Sequence, residues 1–211
     1  MITVLCAGTA TDVGKTWVGA EVLGELRELG LKVAARKPVQ SFAADDTSPT
    51  DAAVLGAATG EDVHTVCPEH RWYALAMAPP IAAALLEVDG FLVGELVDDI
   101  APAPDDTDVL WVETGGGPRS PIADDGDSAD VARWVQADVV VLVADAGLGT
   151  INAVRLSAIP FAGRSLIVVL NRYDEDDIVH RANLVWLAQD GFDVVTETAT
   201  LTSRLLTAAR P

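Results

Sequence analysis

The chain has 211 residues and carries 32 acidic against 14 basic side chains, which gives a formal net charge of −18. Half of the residues are hydrophobic and 22% are charged, so a sizeable core is available and wholesale disorder is excluded. A surface this acidic repels phosphate backbones and anionic lipid, which excludes nucleic acid and membranes as expected partners. No apolar run approaches the ~20 residues of a membrane span, and the N-terminus lacks the basic region of a signal peptide. We therefore expect a soluble cytoplasmic protein.

Short apolar segments alternate with longer helical patterns along the chain. Strands are predicted over residues 2–7, 33–36, 109–112, 139–144, 166–170 and 194–195. Helices are predicted over residues 15–29, 51–58, 79–86, 94–100, 128–136, 150–159 and 178–189, with a connector over 101–106. Alternating βα units with apolar strands predict an α/β fold, a mostly parallel sheet with helices on both faces. Without repeats or a long linker, residues 1–211 are predicted to form a single domain.

A glycine-rich loop, Gly8–Thr16, lies between the first predicted strand and the first predicted helix. Such a loop turns backbone N–H groups toward phosphates at the helix N-terminus. Lys15 would neutralise the β- and γ-phosphates, and the Thr16 hydroxyl would ligate Mg²⁺. Gly8 precedes Lys15 by seven positions, where the common pattern has six. The strand–loop–helix context nevertheless indicates a nucleotide-binding site.

Lysine is scarce in this sequence, which draws attention to where it is used. Only Lys15, Lys32 and Lys37 occur, and Lys37 follows the second predicted strand. It would emerge at the carboxyl edge of the sheet, where ligands of open α/β folds bind. Lys37 is therefore a candidate site residue, and an ordinary solvated lysine at a strand end is the alternative.

Two acidic residues end buried strands and could face the loop. Glu113 closes the run 109–112 and precedes three glycines within 114–117, whereas Asp145 closes the run 139–144. Either carboxylate could reach a metal ion or its waters. We prefer Glu113, because flexible glycine backbone lets a phosphate or substrate approach closely. Asp51, at the start of a short helix, is a weaker metal candidate, and a first-turn acid that merely stabilises the helix is its alternative.

Two further polar positions follow predicted strands. The segment 147–152 opens a helix, and its free N–H groups with the Thr150 hydroxyl and the Asn152 amide would suit an anion such as a carboxylate. An ordinary helix start is the alternative reading. Asn171 follows the strand 166–170 and could read a base edge through its amide, or cap a turn.

Together these motifs resemble the dethiobiotin synthetase family. That family has a loop of the form Gly-Thr-x-Thr-(Glu/Asp)-Val-Gly-Lys-Thr, which matches residues 8–16 including the seven-position spacing. Its Lys-Pro-Val strand end matches 37–39, its Glu-Gly-Ala-Gly-Gly segment resembles 113–117, and its Leu-Gly-x-x-Asn helix start matches 148–152. The motifs run in the same order from residue 1 to about 172, and they imply a P-loop NTPase-like fold.

The resemblance implies an ATP- and Mg²⁺-dependent ring closure. In that reaction 7,8-diaminopelargonate takes up CO2 as a carbamate, which ATP phosphorylates. The second amine then attacks the mixed anhydride, giving dethiobiotin, ADP and phosphate. The family acts as a homodimer, so a homodimer is expected here as well.

The resemblance also assigns roles to residues of this sequence. The nucleotide-binding set would be Asp12, Val13, Gly14, Lys15, Thr16, Glu113 and Asn171, with Asn171 facing adenine. Mg²⁺ would be surrounded by Thr16, Asp51 and Glu113, and Lys15 and Lys37 would be catalytic. The diamine would contact Thr11, Asp12, Lys37 and Ser41, and its carboxylate would meet Gly149, Thr150, Ile151 and Asn152 of the partner subunit.

The sequence departs from the family pattern in places that keep other functions open. Thr114 stands at the family's first glycine after the acid and would crowd the carbamate region, and Ala153 stands where histidine often follows the asparagine. One alternative is a nucleotide-binding paralogue without synthetase activity. Another is a regulatory or partition-type P-loop ATPase, although such proteins usually carry a lysine where Ala10 stands. An amidation domain of the cobyrinate type is a third.

Overall fold

The computed structural model describes residues 1–100 and 102–209; the predicted connector over 101–106 begins at Ala101, which lies outside the described residues. Strands in the described part are β1 (Ile2–Gly8), β2 (Val33–Arg36), β3 (Gln40–Ser41), β4 (Trp72–Tyr73), β5 (Val109–Glu113), β6 (Pro121–Ala123), β7 (Gly126–Asp127), β8 (Val139–Asp145), β9 (Ser165–Asn171) and β10 (Asp193–Val195). Helices are α1 (Lys15–Glu28), α2 (Asp51–Thr59), α3 (Val63–Val66), α4 (Pro79–Leu85), α5 (Val93–Asp99), α6 (Ser128–Trp134), α7 (Thr150–Ala158), α8 (Ile178–Gln189) and α9 (Thr198–Ala209).

The main sheet has the strand order β10-β9-β8-β1-β5-β2, and every neighbouring pair is parallel. Parallel strands joined by helical crossovers are buried on both faces, which explains their continuous apolar sequences. The predicted α/β fold with a parallel sheet is confirmed. None of the helices within the described ranges combines the length and the hydropathy that crossing a bilayer requires.

Helices cover both faces of the sheet, because alternate strand residues point to opposite sides. On one face, Val4 and Cys6 of β1 belong to a buried cluster with residues of α1, α2 and α9. On the other face, Leu5 and Ala7 of the same strand belong to a cluster with residues of α4 to α8. The sheet is therefore packed between two apolar layers, one on each face.

All the predicted strands and helices occur, and their observed ends differ from the predicted ends by at most two residues. Helix α9 is not predicted by the sequence pattern, since its threonines and serine are weak helix formers. It forms because Leu201 and Leu205, one turn apart, are fully buried in the cluster that includes α1. Tertiary packing rather than propensity creates this helix.

The carboxyl edge of the sheet collects the residues that end its strands. In the register of the sheet, Cys6 of β1 lies beside Glu113 of β5, and Asp145 of β8 lies beside Asn171 of β9. Lys37 follows directly after β2 at the same edge. Ligands of open parallel sheets bind at this edge, which makes it the location of the candidate site.

Candidate functional site

The loop between β1 and α1 is folded around the amino group of its lysine. Lys15 is the first residue of α1 and is 7% exposed; its Nζ donates a hydrogen bond to the carbonyl oxygen of Ala10 at 3.0 Å. A Cβ atom at Gly8 would lie 2.9 Å from that Nζ and 2.8 Å from the same oxygen. The loop closes on the lysine because position 8 has no side chain. The arrangement suits a phosphate chain held by backbone N–H groups and one cation.

Asn171 holds the opposite side of the same loop. Its Nδ2 donates to the carbonyl oxygen of Val13 at 2.9 Å, and the residue is buried at the end of β9. A Cβ atom at Gly14 would collide with this amide, and Gly14 also has φ +91°, a conformation that favours glycine. The Asn171 amide therefore supports the loop, in addition to any contact that it makes with a base.

Four side chains meet beside the loop, and we call them the lysine–carboxylate cluster: Thr16 of α1, Asp51 of α2, Glu113 of β5, and Lys37, which directly follows β2. Lys37 Nζ lies 2.7 Å from Glu113 Oε1 and 2.6 Å from Asp51 Oδ2. Thr16 Oγ1 lies 2.8 Å from Glu113 Oε1 and 2.8 Å from Asp51 Oδ1. The fold thus brings together the three predicted metal-site residues and Lys37, one of the two lysines predicted to be catalytic.

The cluster is asymmetric in its exposure to water. Glu113 is fully buried and the side chain of Lys37 is 3% exposed, whereas that of Asp51 is 43% exposed. Burial lowers the pKa of Lys37, but the carboxylates of Glu113 and Asp51 outweigh it and hold that pKa well above the usual lysine value. The ammonium of Lys37 in turn lowers the pKa of Asp51. Lys37 is therefore a permanent cation at neutral pH.

Lys15 experiences the opposite balance. Burial, and then repulsion by Lys37, lower the pKa of Lys15 below the usual lysine value. Lys15 and Lys37 therefore lie near each other at the cleft. Of the two, Lys37 is the one paired directly with carboxylates. A polyanion that entered between them would relieve this repulsion, which is the electrostatic setting that a phosphate site requires.

The oxygen donors of the cluster fit a magnesium ion that binds together with a nucleotide. In the part of the chain that the structure describes, no group of three or more His, Cys, Asp or Glu side chains is placed to hold a metal by itself. Mg²⁺ binds instead through one or two carboxylates, waters and substrate phosphates. The hydroxyl of Thr16 and the carboxylates of Asp51 and Glu113 supply such donors. Among described residues, Oε2 of Glu113 is also buried without a hydrogen-bond partner.

A cleft of about 780 Å³ runs past the loop and the cluster. Predicted residues that line it are Thr11, Asp12, Gly14, Lys15, Thr16, Lys37, Ser41 and Asp51. The Ser41 hydroxyl donates to the carbonyl oxygen of Met77 at 2.6 Å, so it is already oriented by the cleft wall. The volume lies in the range of small-molecule binding sites.

A second pocket of about 540 Å³ adjoins the cleft on the side of Asn171. Gly14, Trp17 and Arg172 line both cavities, so the two are continuous around the start of α1. A nucleotide whose phosphates lay in the loop could therefore extend its base into this pocket.

The segment 147–152 does not line the cleft of its own chain. Gly149 precedes α7 with φ +90°, Thr150 is buried, and Asn152 is exposed. Oγ1 of Thr150 has no hydrogen-bond partner among the described residues. The structure thus separates Gly149, Thr150, Ile151 and Asn152 from the other predicted substrate-binding residues within one subunit.

The two competing strand-end acids have different surroundings. Glu113 lies within the cluster, whereas the side chain of Asp145 is 51% exposed and accepts from Arg172 at 3.1 Å. The backbone N–H of Gly147 also donates to Asp145 and lowers its pKa. Asp145 therefore organises the turn before α7, and it makes no contact with Thr16 or Lys37.

Thr114 leaves the cleft open. The residue is fully buried, and its hydroxyl donates to the carbonyl oxygen of Cys6 at 3.2 Å, while Gly115 and Gly116 line the cleft. The expectation that this threonine crowds the carbamate region is wrong, because its side chain turns into the sheet rather than outward.

Two residues of the site are not predicted from the sequence. Arg172 has φ +57°, and its guanidinium donates to the carbonyl oxygen of Asp12 at 2.8 Å as well as to Asp145. Trp17 is 53% exposed and lines both cavities. Each directly follows a predicted site residue, Asn171 and Thr16 respectively, and that adjacency is the signal that could have identified it.

Comparisons with known proteins were consistent with this geometry. A family model described as AAA domain matches residues 2–201. A protein of Rhodococcus jostii named ATP-dependent dethiobiotin synthetase BioD is 34% identical over 215 residues, covering 99% of this chain and 91% of the relative. A protein of the same name from Aquifex aeolicus is also 34% identical, covering 85% of this chain and 80% of the relative.

Solved structures with the same arrangement are more distant in sequence. A nucleotide-binding protein of Archaeoglobus fulgidus in complex with ADP has a TM-score of 0.51 at 13% identity, covering 99% of this chain and 86% of that chain. A plasmid partition protein of Borrelia burgdorferi bound to AMPPNP has a TM-score of 0.52 at 11% identity, covering 93% and 86% respectively. At these identities the likeness establishes the fold alone.

Proposed function

The chain belongs to the ATP-dependent dethiobiotin synthetase family, and on that premise we propose that it forms dethiobiotin from 7,8-diaminopelargonate, CO2 and ATP with Mg²⁺. The observation that carries the proposal is the pairing of Lys37 with Glu113 and Asp51 beside the Lys15 loop. Lys37 and Asp51 line the cleft, and the fully buried Glu113 lies behind them. Such a site places cations and oxygen ligands where a phosphate and a carboxylate-like group would meet.

The proposed reaction forms one cyclic urea and consumes one ATP. An amine of the substrate adds to CO2 and loses a proton, which gives a carbamate. A carbamate oxygen attacks the γ-phosphorus, the bond to ADP breaks, and a carbamoyl phosphate results. The second amine attacks the carbonyl carbon, phosphate leaves, and loss of a proton gives the ring.

The glycine-rich loop would bind the phosphates of ATP. The N–H groups of Asp12, Val13 and Gly14 would hold the phosphate chain, and Lys15 would stabilise the charge that develops at the γ-phosphoryl group. Mg²⁺ would be held by Thr16, Asp51 and Glu113, and it would neutralise the phosphate oxygens. Because Lys15 is already fixed by Ala10, little reorganisation precedes the transfer.

The diamine and its carbamate would contact Lys37, Thr11 and Ser41, which line the cleft. Lys37 stays protonated at neutral pH, so it acts as a fixed charge toward the carbamate and not as a base. Thr11 and Ser41 line the cleft on either side and would contact the diamine. Their hydroxyls orient the head of the substrate, which keeps the carbamate oxygen in line with the phosphorus.

The far carboxylate of the diamine would meet a second subunit. Residues Gly149, Thr150, Ile151 and Asn152 lie outside the cleft of their own chain. Among the described residues no side chain caps the start of α7, and a helix N-terminus suits an anion. We place this turn in the site of the partner within a two-fold homodimer. Among the described residues, the buried hydroxyl of Thr150 at this helix start has no hydrogen-bond partner.

The base of ATP would occupy the adjoining pocket. Asn171 lines it and already supports the loop at Val13, so base and phosphate positions are linked through one side chain. Trp17 offers an exposed aromatic face at the junction of the two cavities. A purine stacked on that face would lie within reach of the loop.

Incubation with 7,8-diaminopelargonate, bicarbonate and Mg-ATP tests the proposal directly. We expect dethiobiotin and ADP in equal amounts, measured by mass spectrometry and a coupled ADP assay. ADP release that is independent of the diamine would instead indicate a regulatory ATPase. Nucleotide binding without turnover would indicate a paralogue that has lost synthetase activity. Lys15→Ala serves as the inactive control.

A further inference from the structure

Segment 37–41 contacts the start of α2 at two points. Lys37 binds the Asp51 carboxylate, and Oε1 of Gln40 accepts a hydrogen bond from the backbone N–H of Ala52 at 3.2 Å. The two contacts lie on consecutive residues of the first helical turn. Segment 37–41 is therefore joined both to the Asp51 carboxylate and to the backbone of the helix turn that carries Asp51.

Asp51 needs such backbone support more than the other members of the cluster. Its side chain is 43% exposed, whereas Glu113 is fully enclosed by the sheet. Residues 44–49, which lead into α2, are exposed and form neither helix nor strand. Apart from Gln40, the first turn is capped by the Thr50 hydroxyl, which accepts from Ala53 at 3.3 Å. Exposed chain alone would leave the helix start loosely placed.

Gln40 is well suited to this task because it is itself rigid. It is 4% exposed, and strand β3 pairs Gln40 with Trp72 of β4. Its Nε2, in contrast, is buried and has no hydrogen-bond partner among the described residues. A buried unpaired donor costs free energy, and an apolar side chain would avoid this cost. Among the described residues, the hydrogen bond of this side chain is therefore the one that its oxygen accepts from Ala52.

We propose that Gln40 is a positioning residue, which holds Asp51 against Thr16 and Lys37 by fixing the Ala52 N–H at the start of α2. The inference rests on the proposed role of Asp51 as a ligand of the metal. It assigns to Gln40 an effect on divalent-cation affinity that is exerted through Asp51, without contact between Gln40 and the ion.

Binding of Mn²⁺ in the presence of ADP, followed by electron paramagnetic resonance, tests the inference without turnover. Gln40→Met keeps the length of the side chain and removes the acceptor, so we expect roughly 3- to 10-fold weaker Mn²⁺ binding, the range of one neutral hydrogen bond. Gln189→Met makes the same chemical change at an exposed position of α8 and should leave binding unchanged. Thermal denaturation confirms that each variant is folded.

A double-mutant cycle with Asp51→Asn separates positioning from a general loss of packing. If Gln40 acts through Asp51, Gln40→Met should change Mn²⁺ affinity less than 2-fold once Asp51 is Asn. An undiminished effect in that background, or unchanged binding in folded Gln40→Met, would overturn the inference. Wild-type protein that binds ADP but no Mn²⁺ would overturn the metal assignment and the inference with it. At saturating Mg²⁺, kcat of Gln40→Met should approach the wild-type value.

Discussion

Lys37 Nζ lies 2.7 Å from Oε1 of Glu113, and neither side chain is more than 3% exposed. A buried ion pair of this kind is costly unless its remaining lone pairs and protons are satisfied. The partly exposed Asp51 carboxylate forms a second ion pair with Lys37. The second oxygen of Glu113 has no hydrogen-bond partner among the described residues. A free carboxylate oxygen at this position is what the proposed role of Glu113 as a metal ligand would require.

Replacement of Lys15 by alanine should reduce turnover at least 100-fold. It removes the loop cation that is proposed to face the β- and γ-phosphates, and charge stabilisation of this kind is worth about 3 kcal/mol of barrier. The rate of dethiobiotin formation is the measurement, and Lys32→Ala, an exposed lysine outside the cleft, is the matched control. A variant that kept more than about a tenth of the wild-type rate would place phosphoryl transfer elsewhere.

Glu113→Gln should raise the Mg²⁺ concentration needed for half-maximal rate, and Asp145→Asn should change it little. Glu113 belongs to the lysine–carboxylate cluster, whereas Asp145 binds Arg172 and the turn before α7. Activity titrated with Mg²⁺ distinguishes the two acids. The choice of Glu113 as the metal ligand would be wrong if the two variants showed the reverse order.

The stability lost in Asp51→Asn should be larger at pH 7 than near pH 3. Because Lys37 lowers the pKa of Asp51 in the folded state, this carboxylate stabilises the protein above its unfolded pKa of about 3.9. That contribution is lost as the pH falls through the lower, folded pKa. Urea unfolding in metal-free buffer at several pH values measures it, with exposed Asp45→Asn as the control. A difference that is independent of pH would contradict the assigned ion pair.

Monovalent salt should raise the melting temperature. A net charge of −18 on 211 residues produces self-repulsion in the compact state, which salt screens over a Debye length of about 10 Å at 0.1 M. Each kcal/mol gained corresponds to about 2–4 °C for a chain of this size. Scans in 0.05 to 0.5 M KCl measure the effect. A flat or falling melting temperature would show that local ion pairs outweigh the repulsion.

Mixing of two inactive variants should restore activity if the site is shared between subunits. Lys37→Ala impairs the amine end of the cleft, and Asn152→Glu introduces a repulsive charge at the exposed start of α7. Random exchange in an equal mixture gives half heterodimers with one intact site each, so about a quarter of wild-type activity is expected. Subunit exchange is verified by labelled chains. Exchange without recovery would contradict the shared site.

Periodicity and local chemistry alone determined the parallel sheet, the glycine-rich loop and the strand-end positions of Lys37 and Glu113. Buried parallel strands are continuous apolar runs, and the residue that ends such a run must emerge at one edge of the sheet. The pattern also identified Asp51 as the first residue of a short helix. It left open whether this acid served the helix or a metal.

Only the tertiary structure decided which of these residues meet. Asp51 contacts Thr16 and Lys37 because α2 packs against α1 on one face of the sheet, a long-range arrangement that no local pattern encodes. Packing of α9 against α1 on the same face of the sheet also stabilises this helix, although its sequence has weak helix propensity. Strand order set the partner of each acid, because β5 lies beside both β1 and β2 and so carries Glu113 to Lys37, while β8 lies on the other side of β1 and carries Asp145 to Arg172.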